Sequence, residues 1–164
     1  MNIELAEATE ADRGLVENLL QLYAYDLSEI VGFDANELGR FDNISIGEPS
    51  RDHWVFIIRF EKRLAGFASV QRGSALAGET DVTDMDEFFV MRKYRRQGVG
   101  REVAHRLFDR FPGRWEVREM AQNLPAQDFW RRIIGEYTNG KYEERVFDEE
   151  RWRGPVQFFV SNST

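Results

Sequence analysis

Three features of this chain predict an α/β architecture around a mixed sheet. Short β-forming runs alternate with amphipathic helical stretches. A strand–helix–strand step across about 88–117 favours a parallel strand pair. Two β-rich runs, Trp54–Ile58 and Leu64–Val70, flank the tight connection Glu61-Lys62-Arg63 and favour an antiparallel hairpin beside it. A chain of 164 residues holds one sizeable core and hardly two, so a single domain over 1–164 is expected.

From the start of the chain, residues 2–7 read as a short first strand. Thr9 followed by Asp12 resembles a capping box, and Leu15, Leu19 and Tyr23 recur at helical spacing beside Val16 and Leu20, which predicts a helix over about 10–24. Residues 25–50 contain Gly32, Gly39, Gly47 and Pro49 and read as an irregular connection with room for a short second helix. After the hairpin, 72–82 is a small, polar loop. A further strand centres on Phe88-Phe89-Val90-Met91 and has room to start near Val82.

Val99, Val103 and Leu107 then repeat every four residues, with Ala104, Phe108 and Phe111 beside them. This is an amphipathic helix stopped by Pro112-Gly113. Trp115-Glu116-Val117 forms the next strand. Pro125 suits the first turn of a last helix, whose apolar face carries Phe129, Trp130, Ile133 and Ile134. Weaker strands near 143–148 and 155–160 complete a β-α-(α)-β-β-β-α-β-α-β-β order.

Composition narrows the classes of function. The 42% apolar and 13% aromatic content opposes wholesale disorder, and no run approaches the roughly 20 apolar residues of a membrane span. No basic, apolar leader opens the chain, so a cytoplasmic protein is expected. Absence of cysteine excludes disulfides, thiol catalysis and thiolate zinc sites. His53 and His105, far apart in sequence, give no metal site. A net charge of −7 opposes binding to nucleic acid or anionic membrane. Against that acidic balance, Arg92, Lys93, Arg95, Arg96 and Arg101 crowd around two glycines.

A strand, then Arg95-Arg96-Gln97-Gly98-Val99-Gly100-Arg101, then a helix makes an anion site on physical grounds. Glycine lets a ligand approach the backbone, and positive φ costs it little. The first amides of a helix have no partner inside it, and the helix dipole favours negative charge there. Arginines add charge-assisted bonds to phosphate. Position 103 is Val, so the dinucleotide fingerprint fails, and no Gly-Lys-Ser/Thr ending supports a P-loop.

Val90-Met91-Arg92-Lys93-Tyr94-Arg95-Arg96-Gln97-Gly98-Val99-Gly100 resembles the Arg/Gln-x-x-Gly-x-Gly/Ala signature of the GNAT superfamily of N-acetyltransferases. Asn123, Ala126 and Phe129-Trp130 are similar to that family's Asn-x-x-Ala-x-x-Leu/Phe-Tyr segment, and Ala8-Thr9-Glu10-Ala11-Asp12 to its entry into the first helix. The likeness is strong over 82–135 and diffuse elsewhere. It implies a central mixed sheet splayed between its fourth and fifth strands, about 82–91 and 114–120, flanked by helices. It also implies acetyl-CoA as co-substrate: the pantetheine arm along the backbone of Phe89, Val90 and Met91, the pyrophosphate on amides from Arg95 through Arg101, and contacts from Asn123 and from Phe129 or Trp130. The family often has tyrosine where this chain has Trp130, which leaves the proton donor to the departing thiolate unassigned. Ile133-Ile134-Gly135-Glu136-Tyr137 fits the family's Leu-Gly-Phe ending only loosely.

Chemistry on an amine needs a proton acceptor, because an ammonium cannot attack a thioester. Asp84, Asp86 and Glu87 lie on or before the strand that would hold the thioester. Glu87 is the first choice and Asp86 the second, and strict alternation would turn these two to opposite faces. The acidic, aromatic stretch with Tyr23, Tyr25, Asp26, Glu29, Phe33 and Asp34 suits a cationic acceptor, or serves solubility alone. The reading is direct acetyl transfer to a primary amine by a monomer or homodimer. Its alternatives are a non-catalytic acyl-CoA-binding regulator on the same fold and a nucleic-acid module using the basic run.

Overall fold

In the computed structural model, residues 2–162 are described; Met1, Ser163 and Thr164, the ends of the expected 1–164 domain, lie outside them. The elements are β1 (Ile3–Glu7), α1 (Arg13–Val31), β2 (His53–Phe60), β3 (Arg63–Arg72), β4 (Val82–Val90), α2 (Val99–Arg110), β5 (Gly113–Arg118), α3 (Leu124–Thr138), β6 (Glu143–Asp148) and β7 (Arg153–Ser161). Among the described residues they form one seven-stranded sheet of order β1-β2-β3-β4-β5-β7-β6. Every pairing is antiparallel except β4 with β5. The α/β mixed sheet expected from the sequence is the architecture found.

The sheet divides two cores. On one face, Val16, Leu19 and Leu20 of α1 pack on Val55, Ile57, Phe67 and Phe89. On the other, Val103, Leu107 and Phe108 of α2 and Trp130, Ile133 and Ile134 of α3 pack on Phe56, Ile58, Val70, Met85, Trp115 and Val117. Period-two alternation along β2 and β3 feeds both cores, so the central strands read as nearly continuous apolar runs.

Two expectations need correction. The first helix runs to Val31 rather than to about 24, because Ala24 and Leu27 continue its buried stripe and Gly32, at φ 74, provides the left-handed C-cap. The segment after it holds no second helix: Asn36 instead organises turns, its side-chain oxygen accepting from the amides of Leu38 and Arg40. At the chain's other helix start, Asn123 caps α3 by accepting from the Ala126 amide at 3.2 Å, with Pro125 in the first turn.

Candidate active site

The parallel β4–β5 ladder is short. It pairs Val82 with Arg114 through Met85 with Val117 and then stops, although β4 continues to Val90. Past that point the strands diverge, and a cavity of about 920 Å³ opens between them, closed at the side by α3 and at the top by α1. Among the described residues, the β4 edge facing this gap has no strand partner from Asp86 onward. The Met91 amide donates to the Ala65 carbonyl at 2.8 Å, and alternate residues of an antiparallel pair bond the neighbouring strand. The amides of Phe89 and Met91 are therefore turned to β3, whereas those of Phe88 and Val90 face the gap. Of the trio Phe89, Val90 and Met91, only Val90 offers its N–H to a ligand there.

Between β4 and α2 the chain makes an anion-shaped turn. Arg96 at φ 61 and Gly98 at φ 82 adopt left-handed conformations, which swing successive amides to one side. Among the described residues, none of the amides from Arg96 to Arg101 meets an acceptor, and Gly98 is the N-cap of α2. Gly100 is small for a different reason. A Cβ there would sit 3.1 Å from the Phe129 ring, so the absence of a side chain lets α2 and α3 meet.

The arginines behave differently from the free phosphate ligands the sequence suggests. Arg95 donates through Nε to the Val90 carbonyl at 2.7 Å and pairs with Asp26 of α1, which Arg92 also binds at 2.6 Å. Arg101 is held by Glu136 of α3 at 2.6 Å, and Gln97 bonds the Lys93 carbonyl. Arg96 is the one arginine of the turn without an ion pair among the described residues. Positive charge is thus built in, but most of it braces the turn against α1 and α3. The residues fit a diphosphate through main-chain donors first and side chains second.

The carboxylates of β4 sit at the apex of the gap. A β-bulge places Ser69 opposite Glu87 and Val70 opposite Met85, so Asp86 is the extra residue. The bulge cancels the expected alternation. Asp86 accepts from the Ser69 hydroxyl at 2.9 Å and lies 3.5 Å from His53 Nε2, while Glu87 meets the Tyr23 phenol of α1, so both acids are on the α1 face. Asp84, fully buried, is consumed by Arg118 at 2.7 Å and Gln71 at 2.8 Å.

Their environments differ. Burial lifts the Glu87 carboxyl to about 7, with Asp86 adding to the rise and Tyr23 opposing it. Burial pushes Asp86 up as well, but His53 and Ser69 outweigh it and hold that group below the usual range. Glu87 is therefore poised to take a proton near neutrality, whereas Asp86 is a fixed anion.

Phe88, Phe129 and Trp130 wall the other side of the cavity, with ring centroids 4.9 to 5.8 Å apart. Trp130 is also core, packed on Phe108. Tyr137 is turned away to Asp109 at 2.7 Å, and neither it nor Tyr142 lines the cavity. His105 ties α2 to the Ile133 carbonyl of α3. Among the described residues no cluster of metal-binding side chains exists, and no helix is long and apolar enough to cross a membrane. Sequence reasoning missed the Asp26 clamp, the Arg118–Asp84 pair and Glu119, which also lines the cavity. The first two join residues distant in sequence; the acid-rich stretch around Asp26 was the only visible signal.

Residues 16–135 match the acetyltransferase (GNAT) family. No curated protein matches the sequence. The fold is similar to that of an acetyltransferase from Thermus thermophilus, with a TM-score of 0.70 at 13% identity, covering 98% of this chain and 97% of that one. The ribosomal-protein-S18-alanine N-acetyltransferase of Escherichia coli gives 0.59 at 14% identity, with 99% and 96% covered. The spermidine N-acetyltransferase of Vibrio cholerae, solved with CoA and spermine, gives 0.57 at 10% identity, with 97% and 95% covered.

Proposed function

This chain belongs to the acetyltransferase (GNAT) family, and from that membership we propose that it moves an acetyl group from acetyl-CoA directly to a primary amine of a small molecule or peptide. The observation that carries the reading is the cleft itself. Unengaged amides from Arg96 to Arg101 stand at one end, a bare β4 edge runs along it, and a carboxyl titrating near neutrality waits at its apex.

In this reading the main-chain donors of the turn hold the diphosphate, assisted by Arg96. The Phe88 and Val90 amides align the arm in the gap, and the Val90 amide offers a donor to the negative charge that develops on the carbonyl oxygen. Asn123 spends its oxygen on the α3 cap and retains its amide NH₂ for the arm. Phe129 and Trp130 exclude water from one wall. Glu87 accepts the proton that an ammonium must lose before attack, and Tyr23 orients its carboxylate. Asp86 does not compete for that proton; as a permanent anion it attracts a cation to the apex. With Asp26, Glu29 and Tyr23 on the overhanging helix, the acceptor side favours a cationic amine. Attack is direct, without a covalent enzyme intermediate.

The test is thiol release from acetyl-CoA against a panel of polyamines, aminoglycosides, N-terminal peptides and lysine peptides. Turnover with any amine supports the reading. Trp130, a poor acid, is what favours a second reading, an acyl-CoA-binding regulator: saturable CoA binding with no transfer across the panel would select it.

A further inference from the structure

The residue just past β5 has no part in the chemistry described so far. The Glu119 amide donates to the Pro155 carbonyl at 3.1 Å, so the β5–β7 ladder continues one residue beyond Arg118. Its side chain falls on the face opposite Glu87. Val117 pairs across with Gln157, and Glu119 shares that face, beside Gln157, with Arg131 of α3 and Glu144 of β6 as its charged neighbours. Arg118, one residue earlier, points to the α1 face and is held by Asp84. Glu119 is only 3% exposed and lines the cleft; among the described residues no ion pair or well-formed hydrogen bond holds either carboxyl oxygen, and the side chain that approaches it is that of Gln157. A buried carboxyl so weakly partnered is costly, and protein interiors rarely keep one without use.

The geometry of the splay gives it a use. The strands part just after Met85 and Val117, so whatever lies at the apex is flanked by Asp86 and Glu87 on one arm and by Arg118 and Glu119 on the other. With the diphosphate at the head of α2, the thioester end of the arm reaches this apex. The amine approaches from the α1 face, where Glu87 waits. The sulfur then departs toward the α3 face, where Trp130 cannot protonate it; of the two carboxyls lining the cleft there, Glu136 is an anion bound to Arg101, which leaves Glu119.

We propose that Glu119 is the proton donor to the departing CoA thiolate, an assignment that rests on the acetyl-transfer reading above. The acceptor nitrogen forms its bond to the acetyl carbon after giving one proton to Glu87. The carbon–sulfur bond breaks, its electron pair stays on sulfur, and the Glu119 carboxyl delivers a proton there to give the free thiol. The nitrogen, positively charged after attack, loses its second proton to water as the adduct collapses; Glu119, left as a carboxylate, regains one proton from water, and Glu87 releases its own. The products are amide, CoA thiol and one net proton from the ammonium. Burial supports the protonated ground state, lifting this carboxyl to about 8; Glu144 adds to the rise, and Gln157 and Arg131 oppose it. A thiol with a pKa of about 8.5 is well matched to such a donor.

The experiment is Glu119→Gln, read by kcat, KM for acetyl-CoA and the pH profile of kcat. The expected result is a kcat lower by about 10²-fold, an unchanged KM, and loss of the alkaline limb near pH 8 expected of the unaltered protein. A variant that keeps the full rate and the limb overturns the assignment. So does one whose weakened CoA binding fully accounts for its slower rate, since that marks packing alone. Glu119→Asp keeps the acid but retracts it by one methylene: it should lose kcat several-fold and retain the limb, and an unchanged kcat in this variant also overturns the role. Unaltered protein that releases no thiol with any amine sinks the acetyl-transfer reading itself, a distinct failure.

Discussion

Glu87 and Gln97 are the side chains whose replacement speaks most directly to the cleft. Because Glu87 titrates near 7 and must be ionised to accept a proton, the rate of acetyl transfer should rise with pH through that value. Glu87→Gln should lower kcat by about 10²-fold and abolish that rise. Tyr23→Phe removes a donor that favours the carboxylate, so the rise should move to higher pH with kcat retained at its plateau. A profile of Tyr23→Phe superimposable on the parent's would refute the pairing. At the turn, Gly98 sits at φ 82, so Gly98→Glu would strain the backbone by about 1 kcal/mol besides adding charge. Gln97 is exposed and isosteric with Glu. Gln97→Glu should therefore add negative charge without backbone strain, at the loss of the bond to the Lys93 carbonyl, and weaken CoA binding by about tenfold in calorimetry, less so in high salt.

Strand ends decide where the catalytic groups stand, and glycines allow them. A Cβ on Gly154, at φ 140, would lie 2.0 Å from the Glu119 carbonyl oxygen and 2.8 Å from the Ala121 nitrogen. Gly154→Ala must push β7 off the end of β5, and chemical denaturation should show a loss of about 1–3 kcal/mol with slower turnover. Full stability in that variant would show that the contact can relax. Such contacts explain what was legible beforehand. The periodicities of Val99, Val103 and Leu107 and of Phe129, Trp130, Ile133 and Ile134 placed α2 and α3, since each helix buries one continuous stripe. The Arg95–Arg101 turn was legible because its glycines and its place between strand and helix are local. The bulge at Asp86 was not: it depends on the register against β3, and a period-two reading sends Asp86 and Glu87 to opposite faces. Glu119 escaped notice for the same reason, since its burial depends on β6, β7 and α3 together.

For the molecule as a whole, a buried acid and a half-buried one make stability depend on pH. Glu87 and Glu119 have folded values raised from 4.5 to about 7 and about 8, so the fold prefers their neutral forms. Their contribution is complete below about 4.5 and is lost as pH rises through 7 and 8. The melting temperature of the ligand-free protein should accordingly decline between pH 5 and 8.5, and Glu119→Gln should flatten the decline; a slope unchanged by that substitution would contradict the burial of a neutral carboxyl. Asp26 bears on the molecule in another way. One carboxylate on α1 grips both Arg92 and Arg95 and stays ionised, because these two cations overcome the effect of its burial. In the proposed reaction α1 would roof the amine's entrance and the turn would receive the diphosphate, so a single rivet would join the two berths. Coupling through that rivet would act on both sites by an equal and reciprocal factor. Calorimetric titration should find CoA bound with different strength when a reactive amine is already seated, and Asp26→Asn should erase most of that difference, leaving two sites that fill in ignorance of each other.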